Sequence, residues 1–562
     1  LPDAWAGRAD FTLLETGFGT GLNFLTTWAA WRADPARPAR LDFLSVEKHP
    51  FSAADLATLH ARWPRFAALS AELCAAWPMA LPGFHRLVFD GGRVRLTLLF
   101  GDARACLPQV GARLDAIYLD GFAPDRNGEL WTQAVFDTLA RLARPGALAA
   151  TYTVAGPVRA GLEAAGFVCE KRPGYGRKRH CLAARRMGAA PETLPTAPRS
   201  VAVIGAGVAG AAVAAALARC GVAVTVFDAA APGGGASGNP VAVFRPVLGR
   251  ADPPTVRLTR AAFLHDLRAW PSLAGLDWAR CGVLHLAKDA DDAVKQARAL
   301  DFHAPPAGFA RVVTRAEAAD LAGWPVATGG VFFAEAGWVT PDSLLRAWLA
   351  GGEVRRHTPV ARLERGEADW TLLDGAGGAL ARADAVVLAN AAEAAALCPE
   401  PGWPLTRVRG QITRLRGELP TIARVLAREG YVAPDGAGLL VGATYEHDDF
   451  DLTLRAASDE SNLARLRGIL PGVAVGCDMV SGGRAALRAT LPDRLPLVGA
   501  VPEREGLFVA AGYASRGVVW AGLLGEALAD RMCGAPPPLE ADLLDALSPA
   551  LFSARSASRA RA

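Results

Sequence analysis

Short apolar runs, each closing on a glycine or an acid, alternate with Ala-rich stretches of helical period along this 562-residue chain. Phe11–Glu15 reads as a strand, Leu22–Trp31 as a helix and Leu41–Glu47 as a second strand. Leu114–Asp120 is a further strand, and Arg141–Tyr152 reads as a helix end, a Pro-Gly turn and another strand. A new series starts at Val201 with a strand to Ile204, a helix from Val208 and a strand ending before Asp228. Apolar runs too short for helices, spaced by helical segments, predict parallel sheets covered by helices. Between the two series, Gly188–Pro198 carries three prolines and no periodicity, the mark of a semi-rigid linker. The expected division is residues 1–188, a linker at 189–199, a second domain over 200–552 and a Ser/Arg/Ala-rich tail at 553–562. That tail is too poor in apolar residues to pack and is expected to be disordered. Both domains are expected to be α/β, and residues 250–380, where helices mix with strand-like runs such as Gly282–Leu286, to form an α+β substrate domain.

The second series carries the sharper motif. Gly205, Gly207 and Gly210 fit G-x-G-x-x-G between strand and helix, and Asp228 follows Gly210 by eighteen residues. The glycines give a tight turn, close backbone approach to a pyrophosphate and close helix–strand packing. Unpaired N–H groups at the helix start attract phosphate, and Asp228 can accept from a ribose hydroxyl. Alone the glycines are a weak signal, but strand, helix, strand and acid fall in register, so a dinucleotide site is expected. The run Gly233–Asn239, with Ser237, adds backbone and side-chain donors beside it. Val201–Ala218 is uncharged and long enough to imitate a membrane span, but its Gly/Ala content and its motif assign it to a buried strand–helix unit.

The first series has its own turn, Thr16-Gly-Phe-Gly-Thr-Gly21, between Glu15 and Asn23. It resembles motif I of class I S-adenosyl-L-methionine-dependent methyltransferases, in which Gly17, Gly19 and Gly21 would let the backbone approach the methionine and ribose parts of the cofactor. Glu47, closing the next strand, is placed to accept from the ribose hydroxyls. Asp102 sits in a loop that looks like the adenine-contacting loop of those enzymes. Asp120 ends its strand just ahead of Gly-Phe-Ala-Pro124, at the sheet edge where open α/β folds bind ligands. A nicotinamide dehydrogenase would share the first turn, but less often the Asp120 loop and the Arg-Pro-Gly turn.

Phe167–His180 resembles a β-hairpin closing the sheet, with Lys171, Arg172, Arg177, Lys178 and Arg179 around Tyr175 and two glycines. Basic residues beside an aromatic suit a phosphate backbone and a stacked base, although a solvated turn has the same composition. Net charge is only +4, so any nucleic-acid face must be local. Nine cysteines, an odd number without C-x-x-C, point to reduced thiols and to neither a disulfide frame nor a zinc site. No metal and no membrane partner are expected.

The second domain has the features of flavin oxidases of the D-amino-acid and glycine oxidase type. Val408–Gln411 and Gly442–Tyr445 resemble strands near the isoalloxazine, and the stretches holding Arg488 and Arg516 resemble the closing flavin contacts. A class I methyltransferase Rossmann-like domain fused ahead of such an oxidase resembles the bifunctional tRNA 5-methylaminomethyl-2-thiouridine biosynthesis family, over nearly the whole chain. Two departures are visible. That family has additional sequence ahead of Leu1, and Tyr513-Ala-Ser-Arg-Gly stands where it tends to have a His-Gly-Ser-Arg-Gly-like turn. The resemblance implies FAD and S-adenosyl-L-methionine as cofactors, tRNA with its anticodon wobble uridine as partner, a cytoplasmic and monomeric enzyme, and two reactions. The carboxymethyl group of 5-carboxymethylaminomethyl-uridine is removed oxidatively, and the freed amine is then methylated, with Asp120 orienting it or, alternatively, contacting the cofactor. Arg488, Arg409 and Arg245 are candidates for holding the leaving carboxylate. The competing expectation is a small-molecule N-methyltransferase fused to a glycine or sarcosine oxidase.

Overall fold

The computed structural model describes residues 2–121, 126–174, 176, 178–188 and 197–552. The chain forms two compact units. In the first, strands β1 (Asp10–Glu15), β2 (Arg40–Glu47), β3 (Gly83–Phe89), β4 (Val94–Phe100), β5 (Leu114–Tyr118), β6 (Ala143–Thr151), β7 (Phe167–Pro173) and β8 (His180–Arg186) make one sheet. Its order is β3-β4-β2-β1-β5-β6-β8-β7. The four central pairings are parallel, and β3, β8 and β7 join antiparallel. Carboxyl ends of β1, β2, β4 and β5 therefore open on one edge. One face packs on Trp5, Phe24, Trp28 and Phe43, the other on Phe136, Leu139 and Leu162, all essentially buried. The Pro145-Gly146 step lies inside β6, where expectation had a turn: Gly146 takes φ +83 and the register against β5 shifts there. The left-handed residue is absorbed as a bulge, so the strand continues through it.

This unit also takes in Asp530–Leu543 from far along the chain. Asp530, 1% exposed, is set between Arg86 at 3.2 Å and Arg95 at 2.6 Å, and Arg95 reaches on to Asp42 at 2.6 Å. Arg86 also donates to the Pro536 carbonyl at 2.6 Å. Buried charges survive only when paired and hydrogen-bonded, and this segment supplies the pairing.

The second unit holds a mostly parallel sheet built on β9 (Ser200–Ile204) and β10 (Ala223–Phe227). Its order is Glu353–Arg355, β10, β9, Ala385–Leu388, Leu507–Ala511 and Leu497–Ala500, the last joining antiparallel. The helix Val208–Arg219 follows β9 directly and buries most of its Ala and Val side chains. A nine-stranded sheet makes the α+β part, where Thr406–Leu415 pairs with Gly438–Gly442, Glu446–His447 and Val480–Thr490. No helix among the described residues is long and apolar enough to cross a membrane.

Candidate functional site

In the first unit, residues expected to act together do meet. Asn23 donates to Glu15 Oε1 at 2.7 Å and to Asp120 Oδ2 at 2.8 Å, and Ser45 donates to Glu15 Oε2 at 2.6 Å. Burial is the largest influence on Glu15 and pushes its carboxyl up to about 8, outweighing the Ser45 and Asn23 hydrogen bonds. Glu47 accepts from the backbone N–H of Gly19 and of His49, both at 2.8 Å, so the end of β2 is tied to the glycine turn. Gly19 and Gly21 take φ +52 and +72, and a Cβ on Gly17 would stand 3.1 Å from the Asp120 carbonyl. These glycines let the turn lie flat against the Asp120 strand end. Asp102 caps the short helix after β4 and pairs with Lys48 at 3.0 Å and Arg104 at 3.2 Å. The Arg104 side-chain bond, first among its partners, holds its carboxyl well below the usual range.

Lys171, Arg172, Lys178 and Arg179 are exposed on the β7–β8 hairpin, while Arg177 and Tyr175 lie outside the described residues, as do 189–196 of the linker, Phe122–Asp125 and the tail. Arg172 is engaged by Glu170 at 3.0 Å. Lys178 Nζ sits 3.9 Å from the centroid of the Tyr152 ring, and Tyr152 donates to the Gly121 carbonyl at 2.9 Å. One side chain thus joins the basic hairpin to the Asp120 loop. Tyr152 has no signal in the sequence, because only the fold brings the end of β6 beside residue 121.

In the second unit, Gly205 takes φ +108, and a Cβ on Gly210 would stand 1.9 Å from the Gly205 carbonyl. The helix approaches the strand end because residue 210 is glycine, and Gly205 gives the left-handed turn and room for the Ala389 carbonyl. A Cβ on Gly207 would meet Ser237 Oγ at 3.0 Å, and that hydroxyl accepts the Val208 N–H at 3.1 Å. Asp228 accepts from Ala206 at 2.6 Å and Ala230 at 2.8 Å, leaving lone pairs on both oxygens. Arg484, which sequence reasoning missed, pins the Gly233–Gly235 loop, donating to the Gly234 carbonyl at 2.9 Å and the Gly235 carbonyl at 2.5 Å.

A cavity of about 1190 Å³ runs from this turn past Asn390, Arg245, Arg488, Tyr513 and Arg516. Asn390 Oδ1 and the Tyr513 hydroxyl are buried on its wall without a hydrogen-bond partner among the described residues. Arg488 donates to the Thr444 carbonyl at 3.3 Å and lies against the Tyr445 ring, and Arg245 donates to the Pro246 carbonyl at 3.1 Å. None of these three arginines pairs with a carboxylate among the described residues. Burial, then the Arg516 charge, lowers the Arg245 guanidinium to about 10, and burial lowers Arg488 and Arg516. Arg409 is different. It is fully buried in the long sheet, paired with Glu446 and donating to the Thr453 carbonyl at 2.7 Å. Its charge is already neutralised, which removes it from the carboxylate candidates.

Two family models match the chain: an S-adenosyl-L-methionine-dependent methyltransferase over residues 64–187 and an FAD dependent oxidoreductase over 200–531. Among curated relatives, the tRNA 5-methylaminomethyl-2-thiouridine biosynthesis bifunctional protein of Thiobacillus denitrificans is 62% identical, covering 98% of this chain and 92% of its own. The protein of that name from Azoarcus sp. is 46% identical, covering 99% and 92%. Among solved structures, glycine oxidase from Geobacillus kaustophilus aligns at TM-score 0.52 with 26% identity, over 60% of this chain and 94% of its own. Iminodiacetate oxidase from Chelativorans sp. aligns at TM-score 0.52 with 26% identity, over 60% and 96%.

Proposed function

The chain belongs to the family of bifunctional tRNA 5-methylaminomethyl-2-thiouridine biosynthesis proteins, and from that premise we propose how its two sites divide the work on a wobble uridine. The second unit is an FAD-dependent oxidoreductase and the first an S-adenosyl-L-methionine-dependent methyltransferase. Their residues fit both groups. Cβ atoms on Gly205 and Gly210 would strike the Ala389 and Gly205 carbonyls, so glycines there shape the turn, and a Cβ on Gly207 would crowd Ser237 at the helix start. The Asn390 and Tyr513 atoms without a partner among the described residues offer polar contacts to a ligand. Gly17, Gly19, Asn23 and Glu47 make the corresponding cradle in the first unit. When bound, FAD supplies a hydride acceptor and S-adenosyl-L-methionine a methyl donor.

The observation that carries the oxidase reading is the set of arginines facing the cavity without carboxylate partners, Arg245, Arg488 and Arg516. Such cations suit a substrate carboxylate, which a guanidinium can hold through two parallel bonds. They also disfavour a nearby ammonium, keeping the substrate amine neutral so that its lone pair can assist oxidation of the adjacent carbon. Oxidation of 5-carboxymethylaminomethyl-uridine at the carbon between nitrogen and carboxylate gives an imine. Water splits it into glyoxylate and the 5-aminomethyl base. The iminodiacetate oxidase neighbour supports this reading, since iminodiacetate carries the same nitrogen–methylene–carboxylate unit.

In the first unit Asp120 is the group that orients the freed amine and takes its proton after methyl transfer, a step that needs chiefly proximity and alignment. Asn23 holds that carboxylate from behind. Lys171, Lys178 and Arg179 present charge to the tRNA backbone beside this site. A tRNA substrate, together with nine unbridged cysteines, supports a cytoplasmic enzyme. Mass spectrometry of tRNA nucleosides from cells with and without the protein tests the whole reading. Loss of the protein should replace 5-methylaminomethyl-uridine by its carboxymethylaminomethyl precursor, and an unchanged nucleoside profile would overturn it.

A further inference from the structure

Beside the flavin cavity lies a second chamber of about 280 Å³ that shares Arg245, Val247 and Arg516 with it. Apart from the shared arginines, the chemistry above uses none of its lining. His285, Val331 and Phe333 line it from adjacent antiparallel strands. His285 pairs with Val331 and Phe333 with Val283, so all lie on one face of the sheet. The His285 ring makes no hydrogen bond with any described residue. Burial, then the Arg245 charge, lowers it to about 3, so it is a neutral imidazole with one donor and one acceptor to offer. Gln296 also lines the chamber. Its amide nitrogen donates to Asp292 at 3.1 Å, and its oxygen is buried without a donor among the described residues. Arg250 and Lys295, both exposed, also line it, as does Asp292, whose carboxylate accepts from the Lys288 backbone N–H and from Gln296, both at 3.1 Å.

Apolar walls, neutral polar groups of both kinds, cations at the lip and a single carboxylate already engaged by Gln296 and the Lys288 N–H match a flat heterocycle attached to a phosphate chain. A simple anion site would not need Phe333, Val331 and a neutral histidine. Resting on the functional reading above, we infer that this chamber seats the pyrimidine ring of the wobble nucleotide during oxidation, with His285 hydrogen-bonding the uracil edge. The shared arginines then lie between ring and flavin cavity, where the carboxymethylamino arm on C5 must pass. Arg250 and Lys295 face the flanking phosphates. Uracil presents an acceptor, a donor and an acceptor along its edge, so His285 can meet O4 or the group at C2, and a modest turn of Gln296 would meet N3–H.

The test is flavin reduction in the full-length holoenzyme by an anticodon stem–loop RNA carrying 5-carboxymethylaminomethyl-uridine. His285→Leu should raise KM for this RNA roughly tenfold to a hundredfold, the effect of a lost buried hydrogen bond, with kcat much less changed. His285→Gln, which keeps a donor, should recover most of it. The same RNA methylated at N3 should be a poorer substrate for the wild type and nearly equal to its parent for Gln296→Leu. Flavin content of each variant reports on folding, and the surface change Lys295→Gln gives a reading that folding cannot confound: RNA affinity should lose about one unit of salt slope. A wild-type enzyme whose flavin this RNA does not reduce would overturn the functional reading. A responsive wild type beside variants with unchanged KM, N3 discrimination and salt slope would overturn the pyrimidine seat alone.

Discussion

Asn23 donates its amide to Asp120 at 2.8 Å, so the residue two beyond the end of β5, where the sequence had the strand itself ending, is held by the first turn of the helix that follows β1. The same amide nitrogen also binds Glu15. The carboxylate expected to handle the amine is therefore fixed by the glycine-turn segment that shapes the cofactor cradle.

That arrangement makes Asp120 separable from the oxidase. Asp120→Asn keeps the shape but loses the charge, and methyl transfer should fall by roughly 10²–10⁴-fold. Glyoxylate release should be unaffected, and 5-aminomethyl-uridine should accumulate in the tRNA. Normal methylation by the variant would remove Asp120 from the amine-handling role.

Glu15 should make the first unit pH-sensitive. Its folded carboxyl is raised from 4.5 to about 8, chiefly by burial. The folded state therefore holds a proton that the unfolded chain releases from pH 4.5 upward. This stabilising contribution is complete below about pH 4.5 and declines as pH rises to about 8. Glu15→Gln, uncharged at every pH, can accept from Asn23 through its oxygen and donate its amide to the Ser45 hydroxyl, reversing that bond, and should flatten that decline. Calorimetric melting of both proteins between pH 5 and 8 reads it, and parallel curves would show that Glu15 titrates normally.

The flavin cradle gives a sharper outcome. Gly207→Val would put branched carbons toward Ser237 Oγ, already 3.0 Å from a mere Cβ, and into the space the pyrophosphate needs. The purified variant should lack visible flavin absorbance while its methyltransferase survives. Full flavin occupancy would mean the cofactor is placed wrongly.

How much of this was legible in sequence depended on distance along the chain. The Gly205–Asp228 unit could be read because turn, helix and acid lie within one strand–helix–strand period. Glu15, Asn23, Glu47 and Asp120 could be named, but the hydrogen bonds joining them could not, since they cross up to 97 residues. Arg409 looked available until the fold put Glu446 on the adjoining strand. Asp530 is the extreme case, its guanidinium partners lying 444 and 435 residues earlier. No local pattern distinguishes it from other acids near a helix end.

Asp530 therefore carries its own expectation. Removing it leaves Arg86 and Arg95 buried with too little countercharge, and breaking a buried ion pair from one side costs about 3–5 kcal/mol. Asp530→Ala should lower the melting transition of the first unit, and a fragment ending at residue 197 should be unstable unless Asp530–Leu543 is supplied. A fragment that melts like the unit in the full chain would show that the segment is dispensable.

The basic hairpin should fail differently from every site above. Lys178 and Arg179 are exposed, and Lys178 packs on Tyr152, whose hydroxyl holds the Asp120 loop through Gly121. If these residues and Arg177 face tRNA phosphates, replacing all three with Ala removes charge without touching either cofactor cradle. Affinity for tRNA should fall, and its salt dependence should flatten by about one unit of slope per lost phosphate contact. Turnover at saturating tRNA should suffer much less, because the reacting groups remain in place. Lys178→Met, which keeps a long side chain over the Tyr152 ring, separates the two roles of that lysine. It should lose its share of the salt slope while methyl transfer at saturation stays normal. Unchanged binding of the triple variant across several salt concentrations would reduce the hairpin to a solvated turn.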